Sequence, residues 1–337
     1  TYYVPNNMAI ILAGDLDPDK TVDLITQYFG SYERKDVPEY VPAVEDPITE
    51  VEVVDVYGQD AEWVDIGFRL PGIESKDLLA AEMMSSLLNN GAAGLFDLNL
   101  LKEQKLLRAS CYLSTARDYS VFEISGNPRE GQTLEEVRAL LMGEVEKIKA
   151  GEFDDWLLPA IIKDYKLSQY RGNEYNGARA YYISNAFILQ QDWKDVVENI
   201  DRLSELTKQD IVDFANKYIQ DNYVVINKRT GDSDPYKVEK PEISEIDVNR
   251  EVQSDFMKDF EAKEATRLEP QFLNYEEEIV KKQLASGVEL NYVVNDLNPT
   301  FSLSYVLEMG SRNDKEMALA VKYLKYLGTD ELSSSEL

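Results

Sequence analysis

The sequence predicts an α+β protein in which helices pack on one side of a mainly antiparallel sheet. Several segments alternate apolar and polar residues, as Val64, Ile66 and Phe68 do against Asp65 and Arg69, and a period of two marks a half-buried strand. Other segments carry apolar residues three and four apart, the stripe of an amphipathic helix. Of 337 residues 44% are hydrophobic, with 21 tyrosines, enough for sizeable cores in a chain long enough for two domains.

Met8 to Ala13 is an apolar run closed by Gly14, which suits a central strand buried on both faces. Asp17-Pro18 opens a helix whose inner face is Val22, Leu24, Ile25, Tyr28 and Phe29 and whose stop is Gly30. Residues 33–48, with Pro38, Pro42 and Pro47 among many charges, read as an extended connector. Glu50 to Val56 alternates valine and acid and is expected to pair with 61–69 across the turn Tyr57-Gly58-Gln59-Asp60. Pro71-Gly72 ends that second strand, and Ser75 offers its oxygen to the first N–H groups of the next helix. In that helix Leu79, Ala80, Met83, Met84, Leu87 and Leu88 make one core-facing stripe. The loop Asn89-Asn90-Gly91-Ala92-Ala93-Gly94 follows, then a helical run from Leu95-Phe96 towards Lys105, and strands at 108–112 and 119–125.

Thr133 with Glu136, and Thr207 with Asp210, have the spacing of reciprocal helix caps. Residues 154–220 read as almost wholly helical, with breaks near Gly172 and Gly177, before a strand at Tyr223 to Lys228. Residues 230–274 carry Pro235, Pro241, Pro270 and many charges, and are too long for a connection inside one compact domain. Strands resume at 276–284 and 288–295 about Ala285-Ser286-Gly287, then at 301–307, and a helix runs from Glu316 to Leu327 before Gly328. This strand, helix and glycine order echoes the unit at 61–90. The expected division is therefore a domain over 1–229, a linker over 230–274 and the start of a similar module over 275–337.

Composition narrows the function. There are 63 acidic and 35 basic residues, a net charge of −28, which disfavours nucleic-acid backbones and anionic membrane surfaces because both require cationic patches. No run of 18 apolar residues exists, so no membrane-inserted helix is expected. The single cysteine, Cys111, excludes an internal disulfide and a multi-thiolate metal site, and its setting between Ala109 and Tyr112 is that of an inert buried thiol. There is no histidine, hence no H-x-x-E-H, no Ser-His-Asp triad and no imidazole ligand for zinc. The opening Thr1-Tyr2-Tyr3-Val4 has neither an initiator methionine nor a signal-peptide pattern, and the chain is expected to be a piece of a longer protein.

The order strand, helix, glycine loop, Leu95-Phe96 helix and strand over 61–111 is joined by three further segments: Tyr3-Val4-Pro5-Asn6-Asn7-Met8 with Ala13-Gly14-Asp15, Gly151-Glu152-Phe153, and Tyr326-Leu327-Gly328-Thr329. Together they resemble the C-terminal domain of the first half of an insulinase/pitrilysin-type zinc metallopeptidase, an inverzincin. The resemblance implies a two-half parent endopeptidase that cleaves peptides or unfolded polypeptides inside a closing chamber. It places zinc, its ligands and the general-base Glu in a preceding domain. This chain then supplies no catalytic residue and no metal ligand; it is a chamber wall with a hinge linker, and its partners are the substrate and the rest of the same polypeptide. A structural or chaperone-like relative without peptidase activity is the alternative, and a plain acidic interaction domain is a third. Such families occur in bacterial envelopes and in organelles, and the residues do not choose between them.

Within the chain, the loop Gly91, Ala92, Ala93 and Gly94 is the candidate substrate-facing element, since glycine lets a backbone approach a ligand closely. The ordinary reading is a helix C-cap followed by a turn. The loop lacks the Lys-Ser/Thr pair of a phosphate loop. Asp154-Asp155 and Glu276-Glu277-Glu278 read as solvated acids, and Ser333 to Ser335 as a capped helix start. The strand pair 107–113 and 119–125 offers an edge to which an extended peptide can add.

Overall fold

The structure, a computed structural model, describes residues 2–91, 93–233, 238–246, 248–265, 267 and 269–337. Ala92 of the glycine loop and Pro235 of the linker lie outside the described residues. The chain divides into two compact units, Thr1–Ser233 with Ser302–Leu337, and Asp234–Phe301.

The first unit is built on a five-stranded sheet of β1 (Glu52–Gly58), β2 (Trp63–Pro71), β3 (Arg108–Ser114), β4 (Tyr119–Asn127) and β5 (Tyr223–Thr230), in the order β1-β5-β2-β4-β3. Every pairing is antiparallel except β1 with β5. In β2 the residues Val64, Ile66, Phe68 and Leu70 are buried and their neighbours half-buried, the alternation of a sheet with one face on the core. That face is covered by α2 (Leu78–Leu88) and α3 (Leu134–Lys149), and α8 (Lys208–Tyr218) packs against both helices. α2 buries Leu78, Ala80, Ala81, Met83, Met84, Leu87 and Leu88. Gly126 on β4 allows α3 to come close, because a Cβ there would stand 2.9 Å from Val137 Cγ1. Thr133 and Thr207 both form the reciprocal caps that their spacing implies, with Glu136 and Asp210. The sheet with helices on one side is the α+β fold expected.

Several elements differ from expectation. β1 and β2 do not form a hairpin: β5 lies between them, parallel to β1 and antiparallel to β2. The Val-Val-Ile run of β5 suits the interior of a sheet, whereas the acid-bearing β1 suits an edge. The loop joining β1 to β2 is held by Lys228, 7% exposed, whose Nζ donates to Gly58 O at 3.0 Å and to Asp60 O. Met8 to Ala13 forms no strand and pairs with nothing among the described residues. The helix after it, α1 (Pro18–Phe29), is capped by Asp17 as expected, yet none of its residues is buried, so its apolar stripe stays outside the core. Residues 301–307 likewise form no strand, and the helix that follows them, α11 (Lys315–Tyr323), buries no residue. A stripe or an alternation gives an element its face but not the layer that covers it.

The long helical stretch resolves into α4 (Leu157–Gly172), α5 (Asn176–Leu189), α6 (Trp193–Val197), α7 (Asn199–Ser204) and α8. In the second unit α9 (Asp255–Glu261) lies inside the expected linker. A short helix, α10 (Tyr275–Glu278), replaces the start of the expected strand at 276, and β6 (Val280–Gln283) and β7 (Glu289–Tyr292) form an antiparallel hairpin. Gly287 has φ of +87° at its turn, a conformation glycine adopts without strain.

Candidate functional site

β3 is one of the two outer strands of the sheet, and among the described residues it pairs only with β4. Its free edge presents unpaired backbone N–H and C=O groups. Beside it opens a cleft of about 790 Å³, lined by α2, by Tyr112, Leu113 and Thr115 at the end of β3, and by residues of α4 to α7. Helix α2 positions the floor. Its buried stripe faces the core, which turns Glu82, Ser85 and Ser86, all half-buried, towards the cleft.

Glu82 accepts a hydrogen bond from Asn199 Nδ2 at 3.3 Å. Burial pushes its carboxyl above the ordinary range, and the Asn199 bond opposes that only partly. Tyr165 on α4 shares a short hydrogen bond with the Ser86 hydroxyl and reaches the Glu82 backbone oxygen at 3.5 Å. Burial pushes its phenol up to about 12. Asp195, at the other wall, is paired with Arg202. These groups suit binding and orientation. The zinc ligand set of an inverzincin does not fit this chain, which has no imidazole, and among the described residues no three Cys, Asp or Glu side chains are grouped so as to hold a metal.

The glycine loop is tied down from one side. Asp97, at the start of a π-helical turn over Asp97–Lys102, accepts from the N–H groups of Gly91 at 2.9 Å and Gly94 at 3.1 Å. Asn90 Oδ1 accepts from Ala93 N at 2.8 Å. Ala93 is buried, and a Cβ on Gly94 would meet Leu88 O at 2.6 Å. Gly91, with φ of +82° and nothing near a would-be Cβ, is exposed. Ala92 lies outside the described residues. The described part of the loop therefore has the local build of a helix end and a tight turn, with Asn90 and Gly91 exposed.

The other sequence candidates are dispersed. Asp155 meets Lys208 at 3.0 Å on the surface. Glu276, Glu277 and Glu278 sit in the first turn of α10, where Glu276 pairs with Lys281. Ser333 donates from its N–H and its hydroxyl to Glu336, a capped turn. Cys111 is buried in β3. Glu82 and Tyr165 were not among the sequence candidates. Glu82 carried a signal nonetheless: it is the one charge in the apolar helix run Leu78–Leu88.

Fold and site define a two-layer α+β domain with an unpaired sheet edge beside a deep, acid-bearing cleft. Residues 1–165 match the family model described as the peptidase M16 inactive domain. The zinc protease PqqE of Helicobacter pylori is 24% identical over 227 residues, covering 65% of this chain and 50% of that protein. The crystal structure of a protease from Helicobacter pylori superposes with a TM-score of 0.60 at 21% identity, over 64% of this chain and 54% of the other. That of a peptidase M16 inactive domain from Pseudomonas fluorescens gives 0.55 at 12%, over 65% and 52%. The two structures share the fold. The chain spans about half the length of the relatives it matches. The family resemblance read from the residues is borne out, and with it an inactive domain of zinc-protease-like proteins.

Proposed function

We propose that the chain is the non-catalytic chamber wall and hinge of a zinc-dependent endopeptidase, holding peptides or unfolded polypeptides while another part of the same parent polypeptide cleaves them. The observation that carries this reading is the free edge of β3 beside the cleft. An extended polypeptide adds to such an edge through main-chain hydrogen bonds, which accept any sequence, while neighbouring recesses select side chains. In this reading the loop at the end of α2 faces the substrate with its exposed Gly91, residues 230–274 are the hinge, and 275–337 begin the second half.

The test is titration of a fluorescently labelled, permanently unfolded polypeptide with the chain in the presence of stoichiometric zinc, followed by anisotropy and by mass spectrometry. Saturable binding with the polypeptide left intact is expected. Absence of binding, or cleavage that a chelator stops, overturns the proposal.

A further inference from the structure

We propose that the cleft beside β3 receives a cationic side chain, a lysine or arginine of the polypeptide docked on that edge. This rests on the reading of β3 as the docking edge and adds the side chain that the docking selects.

The first argument is charge. Two carboxylates, Glu82 and Asp195, line the cleft, and among the described residues no lysine or arginine does. A recess of one sign with low-dielectric walls concentrates its field on a ligand of the opposite sign. The two acids are not equivalent. Asp195 is already neutralised by Arg202, and Lys76 and Arg202 line an adjoining recess of about 390 Å³ that shares Glu82, Asp195 and Asn199 with the first, where neither base pairs with Glu82. Among the described residues Glu82 has no cationic partner; Asn199 gives it one hydrogen bond at 3.3 Å, and a carboxylate accepts several. Its remaining acceptor capacity is what a cation would meet.

The second argument is the shape and chemistry of the walls. The volume of about 790 Å³ is within the range of ligand sites and admits a long side chain from an adjacent strand. Tyr112, Tyr182 and Trp193 supply aromatic faces, which attract ammonium and guanidinium groups. Leu113 and Ile200 offer apolar cover for the methylene stem of such a side chain. An anionic side chain would be repelled by Glu82. A purely apolar one would remove water from that carboxyl without replacing its hydrogen bonds, which carries a desolvation cost. A cation on a flexible apolar stem satisfies both walls and floor.

Calorimetric titration of the full chain with three end-blocked extended peptides, identical except for a central lysine, norleucine or glutamate, tests this. The lysine peptide should bind about tenfold more tightly than the norleucine peptide, an effect of the size expected for one charge-assisted contact with cation–π support, and the glutamate peptide most weakly. Glu82→Gln should abolish the lysine preference, weakening the lysine peptide and bringing the norleucine peptide level with it or above it, since no charge is then desolvated. Trp193→Leu, at a half-exposed position, should reduce the preference severalfold and serves if the first variant does not fold. Equal affinity for lysine and norleucine overturns the cation site while leaving edge docking intact. Loss of both peptides in Glu82→Gln shows a structural role and also overturns it. Failure of all three peptides to bind the unmodified chain refutes the docking edge, and this inference with it.

Discussion

Asp65 on β2 and Glu123 on β4 share the sheet face turned away from the helices, on adjacent strands and two residues out of register, since Asp65 pairs with Ser125 and Glu123 with Gly67. Burial first, and the Glu123 charge second, push the Asp65 carboxyl up to about 6, against a hydrogen bond with Ser125. A carboxyl raised on folding favours the protonated folded state. Its contribution is fully present below the unfolded value of about 3.9 and is lost as pH rises to about 6, above which a constant penalty remains. After discounting for solvent screening that penalty is about 1 kcal/mol. Asp65→Asn should therefore be about 1 kcal/mol more stable than the unmodified chain at pH 7.5 and equal to it at pH 4. Urea unfolding at the two pH values measures this, and a variant destabilised at pH 7.5 contradicts it.

Asp97 holds the loop at the end of α2 through the N–H groups of Asn90, Gly91 and Gly94 and the Asn89 side chain, which donates at 2.8 Å. Asp97→Ala leaves these donors without their acceptor. The expected loss is about 2 kcal/mol, because two of the donors belong to exposed residues that water can reach. Hydrogen exchange at Gly91 and Gly94 should accelerate before the core amides change, and unchanged exchange there would show that the carboxylate does not hold the loop.

Burial pushes the Cys111 thiol up to about 12, and the Ser85 bond offsets little of that. The thiol, not the thiolate, is the folded form, so a thiol-selective reagent should leave the folded chain unlabelled at pH 8 and add one equivalent on unfolding. By linkage the preference stabilises the fold below the unfolded thiol's value near 8.5 and is lost as pH rises above it. Labelling of the folded chain at the rate of a free thiol would show the strand to be open.

Local structure was readable where local chemistry decides it. The caps at Thr133 and Thr207, the stripe of α2 and the alternation of β2 follow from side chains within a few residues of each other. The partner of β1 was not readable that way, because Glu52 pairs with Val224 and nothing near β1 in the chain marks β5 as the strand that separates it from β2. The same holds for the cleft. Glu82, Tyr165 and Asn199 come from three helices, and each alone reads as an ordinary helical polar residue. Met8 to Ala13 and the stripe of α1 have the composition of buried elements, but burial depends on a covering layer that their own residues do not specify.

The placement of β5 sets an order of events during synthesis. Its slot between β1 and β2 stays vacant until residues 223–230 have left the ribosome, long after both neighbours have appeared. Until then β1 has no strand to pair with and β2 keeps a bare side, so the nascent chain must hold its sheet in two pieces, and a late, long-range closure governs the pace of folding.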